Sequence, residues 1–348
     1  MKSEKMKGIV LHGGHGTRLR PLTHTGPKQL LPIANKPMSQ YCIESIKETG
    51  INEIAIIVGG AGSNKVMEYY GSGEKFGVSF TYIKQDEPKG IAHAIRLCKE
   101  FVNNEKFLVF LGDNIIQKSI RDFAENFNKS DYDATVLLCE VDNPSRFGIA
   151  DVENKKIVKI TEKPKKPTSN LAVTGIYLLT PLIFEVIDNL KPSWRNELEI
   201  TDALDNLLKQ NDNIGYETIT DYWKDTGTPE DILNANRQVL EHICGTSDAI
   251  VDKSSVDCGL ALRRFCIIGK NCKIDESADV GPHVSIGDDT IISSDVVIEN
   301  SIIMSDCKID GGLNIKDSIV SANCHPHGNN KDKTKKLFLL GEGTKITL

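Results

Sequence analysis

Residues 7–37 read KGIVLHGGHGTRLRPLTHTGPKQLLPIANKP, a short apolar run followed by a glycine-rich loop. The run Lys7–His12 has the length and continuous hydrophobicity of a buried strand. Gly13, Gly14 and Gly16 follow it directly, and glycine allows backbone N–H groups to approach phosphate oxygens without obstruction. The stretch therefore predicts an α/β domain with a phosphate-binding turn after its first strand.

Basic residues follow the glycines and extend this interpretation. Arg18 and Lys28 supply the positive charge that a triphosphate requires. A dinucleotide fingerprint is excluded because Leu19 stands where its last glycine belongs, and no Walker P-loop run occurs in the chain. The alternative is a tight connection whose basic side chains are simply solvated.

The bulk composition limits the classes of function. The chain has 348 residues, a formal net charge of −6 and 39% hydrophobic residues, which favours two soluble domains and disfavours nucleic acid as a partner. No apolar run is long enough for a membrane span, and the charged N-terminus does not resemble a signal peptide. The nine cysteines form no CxxC pair, so we expect reduced thiols and a cytoplasmic location.

Apolar runs and helical patterns alternate over the first two thirds of the chain. This alternation predicts a Rossmann-like, mostly parallel sheet covered by helices on both faces. Gly13, Asp86 and Asp113 each follow a predicted strand, so we expect their loops to share the carboxyl edge of the sheet, where ligands bind. The predicted elements after the first strand are Ser39–Thr49, Glu53–Val58, Val78–Lys84, Gly90–Phe101 and Lys106–Leu111.

The last hundred residues carry a different period. Aliphatic residues recur every six positions from Ile250 to Met304, which is typical of a parallel β-helix. We therefore predict two domains, an α/β domain at 1–243 and a β-helix of about three coils at 244–348. The period slips by one at Ile309 and Ile315, so regular stacking is expected to end there and 325–336 to form a surface loop.

Ordered motifs along the first 230 residues resemble those of the sugar-phosphate nucleotidylyltransferases, and in particular the long-form glucose-1-phosphate thymidylyltransferases. This resemblance implies an α/β nucleotidyltransferase domain followed by a left-handed parallel β-helix. The motifs are GGHGTRLRPLTHTGPKQLLPIANKP at 13–37, IKQDEPKGIAHA at 83–94, LGDN at 111–114, RFGI at 146–149, EKP at 162–164, TGIYL at 174–178, RNELEITD at 195–202 and WKDTGT at 223–228.

The implied reaction transfers a nucleoside monophosphate from dTTP to glucose-1-phosphate and releases pyrophosphate. Such in-line displacement depends on positioning and charge neutralisation rather than on a covalent nucleophile. Mg²⁺ prefers oxygen ligands and takes only one or two protein carboxylates, which we assign to Asp113 and Asp225. For Asp113, a helix N-cap or turn role is the alternative.

The resemblance also assigns nucleotide contacts. Arg18 would stabilise the α-phosphate and the departing pyrophosphate, and Lys28 would contact the nucleotide phosphates, so these two join Asp113 as the catalytic group. Gln85 would hold the pyrimidine, since an amide can pair with both a donor and an acceptor. The full set of predicted nucleotide-binding residues is Gly13, Gly14, Gly16, Thr17, Gln85 and Gly90.

A second set is assigned to the sugar phosphate. Lys163 would bind its phosphate with help from Arg195, and Glu162 would accept hydrogen bonds from sugar hydroxyls. Without the resemblance, Glu162 and Lys163 would be an ordinary exposed charged pair. The predicted sugar-phosphate-binding residues are Asn114, Gly148, Glu162, Lys163, Thr174, Tyr177 and Arg195.

Departures from the family pattern concern single residues. His15 occupies a position usually held by a small residue, and Asn196 replaces the glycine usual after Arg195, which puts the conformation of that loop in question. In the tail, His325 and His327 flank a proline; they are either a metal site or surface residues. Trp194 and Trp223 either line the sugar site or belong to the core.

Substrate and class alternatives remain open at this level. The base of UTP differs from that of dTTP by one methyl group, so a UTP-dependent or other hexose-1-phosphate uridylyltransferase is the close alternative. A β-helix can also carry acetyl transfer, and a non-catalytic regulator can use the same scaffold. We expect the β-helix to mediate homo-oligomer formation rather than chemistry.

Overall fold

The computed structural model describes residues 6–14, 16–60, 62–211, 213–247, 249–255, 262–329 and 334–348. These residues group into two compact units. The first unit contains the described residues up to Gly14 together with Ser39–Trp223, and the second contains those between Gly14 and Ser39 together with Lys224–Leu348. The division at 243 and 244 stays a prediction.

Helices and strands alternate through the first unit, as the sequence pattern predicts. The helices are α1 (Met38–Glu48), α2 (Ser63–Tyr70), α3 (Ile91–Arg96), α4 (Lys99–Val102), α5 (Arg121–Lys129), α6 (Leu182–Asp188), α7 (Ile200–Asn211) and, in the second unit, α8 (Pro229–Cys244). The strands up to α8 are β1 (Lys7–His12), β2 (Pro32–Ile33), β3 (Lys36–Pro37), β4 (Glu53–Val58), β5 (Ser79–Lys84), β6 (Phe107–Leu111), β7 (Asn114–Ile116), β8 (Ala134–Glu140), β9 (Gly148–Glu153), β10 (Lys156–Glu162), β11 (Leu171–Leu179), β12 (Ile214–Ile219) and β13 (Trp223–Asp225).

The sheet of the first unit confirms the predicted α/β fold, with neighbouring parallel strands that an antiparallel part extends. Strand β1 pairs in parallel with β4 and β6, and β4 pairs in parallel with β5. Strand β11 runs antiparallel to both β6 and β8, and the hairpin β9–β10 extends the sheet beyond it. A buried strand is apolar on both faces whichever way it runs, so the sequence pattern does not reveal the direction of β11.

The parallel half of the sheet places the predicted loops at one edge. Because β1, β5 and β6 point the same way, Gly13, Asp86 and Asp113 all follow the carboxyl ends of their strands. Alternate side chains of these strands, such as Ile9, Leu11 and Val109, are buried in one core cluster. This packing makes the edge a firm base for the loops.

The tail forms ladders of short parallel strands, in agreement with the predicted β-helix. Each strand pairs with strands about one coil away in sequence, and the ladders are consistent with the left-handed form that the resemblance implies. The strands are β14 (Ala249–Val251), β15 (Cys266–Ile268), β16 (Lys273–Ile274), β17 (Asp279–Val280), β18 (Val284–Ile286), β19 (Ile291–Ile292), β20 (Val297–Glu299), β21 (Ser301–Ile303), β22 (Lys308–Ile309), β23 (Asn314–Lys316), β24 (Ile319–Val320), β25 (His325–His327), β26 (Lys335–Lys336), β27 (Leu339–Leu340) and β28 (Lys345–Thr347).

The expectation that stacking ends near Ile309 is wrong. Strand β22 pairs with β19, β23 with β20, and β24 with both β21 and β27. The slip is absorbed one coil earlier, where Ile286 pairs with Ile303 and Met304 is left only partly buried. One shorter coil keeps an aliphatic residue in the core, so the ladder continues.

The predicted surface loop 325–336 is only partly a loop. His325–His327 pairs with Lys345–Thr347, and Lys335–Lys336 pairs with β23. Residues 330–333 lie outside the described residues. Among the helices that the structure describes, none combines the length and the hydrophobicity needed to cross a membrane.

Candidate functional site

In the first unit, the turn after β1 and the loop after β5 meet at the side chain of Gln85. A side-chain carbon added at Gly13 would lie 3.2 Å from the Gln85 Oε1 atom. The Gln85 amide is buried, and its Nε2 atom lies 2.9 Å from His93 Nδ1 and 3.5 Å from the Gly90 carbonyl oxygen. The structure thus brings together Gly13, Gln85 and Gly90, and their contact with a nucleotide stays a prediction.

His93 was not predicted as part of this site. It lies on α3 three residues after Gly90, and its ring fixes the orientation of the Gln85 amide, leaving Oε1 towards Gly13. Burial, aided by Arg96 and Lys89, lowers the pKa of His93. A neutral imidazole can accept a hydrogen bond from the amide. The one sequence signal was its place in the first turn of the helix after Gly90.

Gly90 occupies a position where only glycine fits. Its φ is +101°, and an added side-chain carbon would lie 2.5 Å from the carbonyl oxygen of Leu198. The backbone of residues 89–92 is held against Leu198 by hydrogen bonds from Leu198 N to Lys89 O and from Ala92 N to Leu198 O. Gly90 therefore sets the close approach of two loops beside Gln85.

Replacing Gly90 by alanine is expected to lower the free energy of unfolding by about 1–3 kcal/mol through backbone strain. It should also raise KM for the nucleotide more than KM for the sugar phosphate, because the displaced loop holds Gln85. Gly50→Ala is the matched control: Gly50 has φ +90° but open space around it. Thermal unfolding and separate KM determinations test this, and equal nucleotide KM values in the two variants would contradict it.

Asp113 follows β6 and is supported by its neighbour Asn114. The Asn114 Nδ2 atom donates to Asp113 Oδ1 at 3.0 Å, while Asn114 Oδ1 accepts from Gly175 N at 3.2 Å and from Trp223 Nε1 at 2.8 Å. These contacts commit the buried Asn114 amide to holding the carboxylate in place. The contact of Asn114 with a sugar, predicted from the resemblance, stays a prediction.

His12 lies at the end of β1, close enough to Asp113 for the two to interact electrostatically. It is 1% exposed, and neither ring nitrogen has a hydrogen-bond partner among the described residues. Burial lowers the pKa of His12 to about 3, although the Asp113 carboxylate opposes the shift. The ring is therefore neutral at physiological pH and adds no positive charge beside Asp113.

The predicted sugar-phosphate residues form a charged cluster around Glu162. Its carboxylate lies 3.3 Å from Lys163 Nζ and 3.5 Å from Arg195 Nη1, and accepts a hydrogen bond from Thr201 Oγ1 at 3.0 Å. An added side-chain carbon at Gly148 would collide with Thr201 and lie 3.3 Å from Glu162 Oε2. The structure therefore groups Gly148, Glu162, Lys163 and Arg195, which is more than an isolated exposed ion pair.

Arg195 is surrounded by carboxylates. Its guanidinium lies 3.2 Å from Glu199 and 3.1 Å from Glu197, in addition to Glu162. Burial raises the pKa of Glu199, and the Glu162 charge adds to the rise. Arg195 thus holds three acidic groups together and helps to position Glu162. Glu197 and Glu199 were not predicted as part of this cluster, although both lie in the RNELEITD motif.

Asn196 adopts a backbone conformation that the glycine usual at this position would also allow. Its φ is +60°, in the left-handed region, and its N–H donates to the Ser193 carbonyl oxygen at 2.9 Å. Asparagine tolerates this conformation better than most residues do. The loop therefore keeps the turn that glycine would provide. His15, the other departure beside the phosphate turn, lies outside the described residues.

Thr174 and Tyr177 lie on β11 and are deeply buried. The Thr174 side chain is 0% exposed, and its hydroxyl has no hydrogen-bond partner among the described residues. Burial raises the pKa of Tyr177, and the charges of Glu162, Asp113 and Glu199 raise it further. Tyr177 is therefore a neutral phenol within the field of these carboxylates, and a sugar contact for either residue stays a prediction.

The two tryptophans differ in their surroundings. Trp223 is buried and donates to Asn114, so it belongs to the support of Asp113. Trp194 is 82% exposed, next to Arg195. Of the two readings proposed from the sequence, core packing is therefore confirmed for Trp223 and excluded for Trp194.

In the second unit, a short turn presents Thr17 and Arg18. Residues Thr17–Leu19 form one turn of 3-10 helix, which buried Leu19 anchors, while Thr17 and Arg18 are exposed. The Gly16 carbonyl oxygen accepts from Thr23 Oγ1 at 2.8 Å, which closes the loop. An added side-chain carbon at Gly227 would lie 3.2 Å from Arg18 Nη1. Gly227 was not singled out from the sequence, although it lies within WKDTGT.

The WKDTGT segment begins with β13, and contacts of both its threonines hold the residues that follow this strand. Thr226 is buried and its hydroxyl lies 3.2 Å from Met38 Sδ, and Thr228 caps α8 by accepting from Asp231 N at 3.2 Å. Asp225 is thus two residues from the glycine that contacts Arg18. Oxygen donors such as the Asp113 and Asp225 carboxylates suit Mg²⁺, but their shared grip on one ion stays a prediction, as does the phosphate contact of Lys28.

A separate group on the β-helix answers the question about His325 and His327. Ligand atoms of Asp310, His325 and His327 all lie within 4.8 Å of one another. The same Asp310 oxygen that lies 2.7 Å from His325 Nε2 also lies 2.8 Å from Lys308 Nζ, and its other oxygen is bonded by Ser293. Because an ammonium group already neutralises the carboxylate, we interpret this group as an ion-pair network.

The first unit is an α/β domain with charged loops at the carboxyl edge of its sheet, and the tail is a β-helix. The sequence profile described as nucleotidyl transferase matches residues 7–242, and one described as GMPPB C-terminal domain matches residues 262–347. The first match covers most of the chain. The chain belongs to the nucleotidyl transferase family.

Curated relatives share this region but carry several names. The "low-salt glycan biosynthesis nucleotidyltransferase Agl11" of Haloferax volcanii is 48% identical over 237 residues, which cover 68% of this chain and 66% of that protein. A glucose-1-phosphate thymidylyltransferase of Streptomyces antibioticus is 40% identical over 279 residues, or 80% of this chain and 77% of that one. A bifunctional protein GlmU of Methanococcus maripaludis is 39% identical over 241 residues, but only 55% of its length is covered.

Solved structures similar to this chain also carry the names of different sugar nucleotidyltransferases. A Bacillus anthracis protein, provisionally described as a glucose-1-phosphate thymidylyltransferase, is 45% identical, with a TM-score of 0.64 and coverage of 67% of this chain and 94% of that one. A UDP-glucose pyrophosphorylase complexed with UDP-glucose is 29% identical, with a TM-score of 0.62 and coverage of 68% and 99%. These relatives share the family, while their names include both a thymidylyltransferase and a UDP-glucose pyrophosphorylase.

Proposed function

We propose that this chain transfers a nucleoside monophosphate from dTTP to glucose-1-phosphate, giving dTDP-glucose and pyrophosphate. The orientation of the Gln85 amide is the observation that supports a pyrimidine base in this proposal. The Gln85 Nε2 atom is hydrogen-bonded to His93 and Gly90, so the Oε1 atom lies beside Gly13. There Oε1 can accept a hydrogen bond from the N3–H group of thymine or uracil. The Streptomyces relative, named as a thymidylyltransferase, supports dTTP over UTP.

The sugar phosphate would bind at the cluster around Glu162. Lys163 and Arg195 supply cations for its phosphate, and the Glu162 carboxylate can accept hydrogen bonds from sugar hydroxyls. Binding would require Lys163 and Arg195 to share their charge between Glu162 and the incoming dianion. Lys163 is the more exposed of the two basic side chains, so it is the better placed to make that contact.

The nucleotide phosphates would bind at the glycine turn. Gly13, Gly14, Gly16 and Thr17 would approach the phosphates with backbone and hydroxyl donors, while Lys28 contacts them and Arg18 braces the pyrophosphate as it departs. Asp113 and Asp225 would hold Mg²⁺, which when bound neutralises phosphate charge and stabilises the leaving group. These residues supply positioning and charge and form no covalent intermediate.

A screen of pyrophosphate release tests this proposal. dTTP, UTP, CTP, ATP and GTP would each be combined with glucose-1-phosphate, glucosamine-1-phosphate and mannose-1-phosphate in the presence of Mg²⁺. The highest kcat/KM is expected for dTTP with glucose-1-phosphate. Release that is fastest with UTP would favour the alternative suggested by the UDP-glucose pyrophosphorylase structure, and no release with any pair would reject the enzyme in favour of a regulator.

The tail is proposed to serve assembly. Ile250 and Val251, on strand β14, are 38% and 39% exposed, and such neighbouring exposed aliphatic residues suit a homo-oligomer contact. The alternative, acetyl transfer by the β-helix, is tested by acetyl-CoA turnover with glucosamine-1-phosphate. A cytoplasmic location is proposed from the eight free cysteines of the described residues.

A further inference from the structure

Residues 16–37, called here the Arg18 segment, carry Arg18 and Lys28 and have little regular structure of their own. The segment contains two single turns of 3-10 helix, Thr17–Leu19 and Lys28–Leu30, and the small hairpin β2–β3. Such short elements make few internal hydrogen bonds and cannot fix a side chain by themselves. The segment belongs to the same compact unit as the β-helix. Its neighbours in that unit must therefore hold it.

The hairpin turn is bonded directly to the β-helix. Ala34 and Asn35 form the turn, with φ of 47° and 61°. The Asn35 Nδ2 atom donates to the carbonyl oxygen of Ile286, on β18, at 2.6 Å. The backbone of Asn35 is in the left-handed region, which asparagine tolerates better than most residues do. The tip of the segment is thus joined to one coil of the tail.

A buried asparagine makes the second connection. Asn236 on α8 is 1% exposed, and its Oδ1 atom accepts from Ala34 N at 2.8 Å and from Ser285 Oγ at 2.7 Å. Ser285 lies on β18 and is fully buried. One amide oxygen therefore joins the hairpin, the helix and the β-helix. Buried hydrogen-bond networks of this kind fix a single arrangement of the elements that they join.

A third contact lies at the other end of the tail. An added side-chain carbon at Gly341 would lie 3.2 Å from both the Cβ and the carbonyl oxygen of Pro21. Gly341 follows the last strand of a long ladder, β27, and Pro21 lies three residues after Arg18. The segment is therefore in contact with the β-helix both near Arg18 and at the hairpin turn, through coils far apart in sequence.

We propose that the β-helix is the platform that positions the Arg18 segment for catalysis, with Asn35, Asn236 and Ser285 as positioning residues. This inference rests on the proposed nucleotidyl transfer. A cation that braces a leaving group accelerates the reaction only when it is held in place beforehand, and the segment obtains that rigidity from the tail. The β-helix would then serve the chemistry of the chain as well as its assembly.

The test uses two substitutions that each remove one connection. Asn35→Gly deletes the bond to Ile286 but suits the left-handed backbone, and Ser285→Ala deletes a hydroxyl without adding volume. Each is expected to lower kcat by roughly tenfold, within the ~10²-fold cost of misplacing a catalytic group, with KM for the sugar phosphate nearly unchanged. Amide hydrogen exchange over residues 16–31 should become faster in both.

Matched controls separate positioning from general loss of stability. Asn154 is another left-handed asparagine of a two-residue hairpin turn, with φ of 49°, and Ser293 is another serine of the β-helix, bonded to Asp310. Asn154→Gly and Ser293→Ala should leave kcat and the exchange of residues 16–31 unchanged. Thermal unfolding of all four variants confirms that each is folded at the assay temperature.

Three results would overturn the inference. They are unchanged kcat in both test variants, faster exchange of residues 16–31 without any loss of kcat, and an equal loss of kcat in the controls. Failure of the proposed function would look different, because wild-type protein would release no pyrophosphate with any substrate pair. In that case unchanged exchange in Asn35→Gly and Ser285→Ala would also reject the platform itself.

Discussion

Asp113→Asn is expected to reduce Mg²⁺-dependent pyrophosphate release by roughly 10³-fold, the equivalent of about 4 kcal/mol of lost charge stabilisation. The substitution removes the negative charge that Mg²⁺ requires but keeps an oxygen that can accept from Asn114 Nδ2, so the local structure should persist. Steady-state rates over a range of Mg²⁺ concentrations measure the effect, and circular dichroism checks the fold. Removal of Mg²⁺ from wild-type protein with a chelator should reproduce the loss.

The control for this substitution lies at the same edge of the sheet. Asp86 follows β5, is exposed, and pairs with Lys84 at 2.9 Å, so Asp86→Asn removes the same charge from a neighbouring loop. It should leave the rate within about twofold of wild type, since an exposed ion pair contributes little. Normal turnover in Asp113→Asn, or an equal loss in Asp86→Asn, would remove Asp113 from the metal assignment.

Arg18→Ala should lower kcat by about 10²–10³-fold, the usual cost of removing one preorganised donor from a charged transition state. Nucleotide affinity should change much less, because the base would be held by Gln85 in the first unit and the glycine turn retains its backbone donors. Single-turnover pyrophosphate release and equilibrium binding of dTTP separate the two effects. This separation also distinguishes an enzyme from a regulator that only binds nucleotide.

Arg20 provides the comparison for Arg18. It lies two residues further along the same turn and is likewise exposed, so Arg20→Ala changes the net charge of the segment by the same amount. If general attraction of the triphosphate were the only role of these residues, both variants would lose activity alike. A loss confined to Arg18→Ala supports a specific contact with the departing pyrophosphate.

The sequence predicts the positions of the strands along the chain better than it predicts their directions in the sheet. Lys7–His12 and Glu53–Val58 are strands with the predicted bounds, because a short apolar run followed at once by glycines leaves few alternatives. The antiparallel entry of β11 was not predicted, since LAVTGIYLL is apolar in either direction. Stacking beyond Ile309 was missed because a coil can lose one residue and still return an aliphatic side chain to the core.

The candidate site shows a similar division between residues and their supports. Gln85, Gly90, Glu162 and Arg195 could be selected because their motifs are contiguous. Supporting residues such as His93, which orients Gln85 from the following helix, leave no comparable pattern. Contacts such as that of Gly227 with Arg18 join positions two hundred residues apart and depend on tertiary structure alone.

In the described part of the tail, strands pair with strands of adjacent coils, and this has a consequence for how such a module changes in length. Its free energy of unfolding should be close to a sum over neighbouring coils, so that unfolding begins at an end rather than throughout. A duplication of one coil would then meet surfaces identical to those already present. Lineages could lengthen this part of the molecule by repetition, while the coils that touch Asn35 and Pro21 remain constrained.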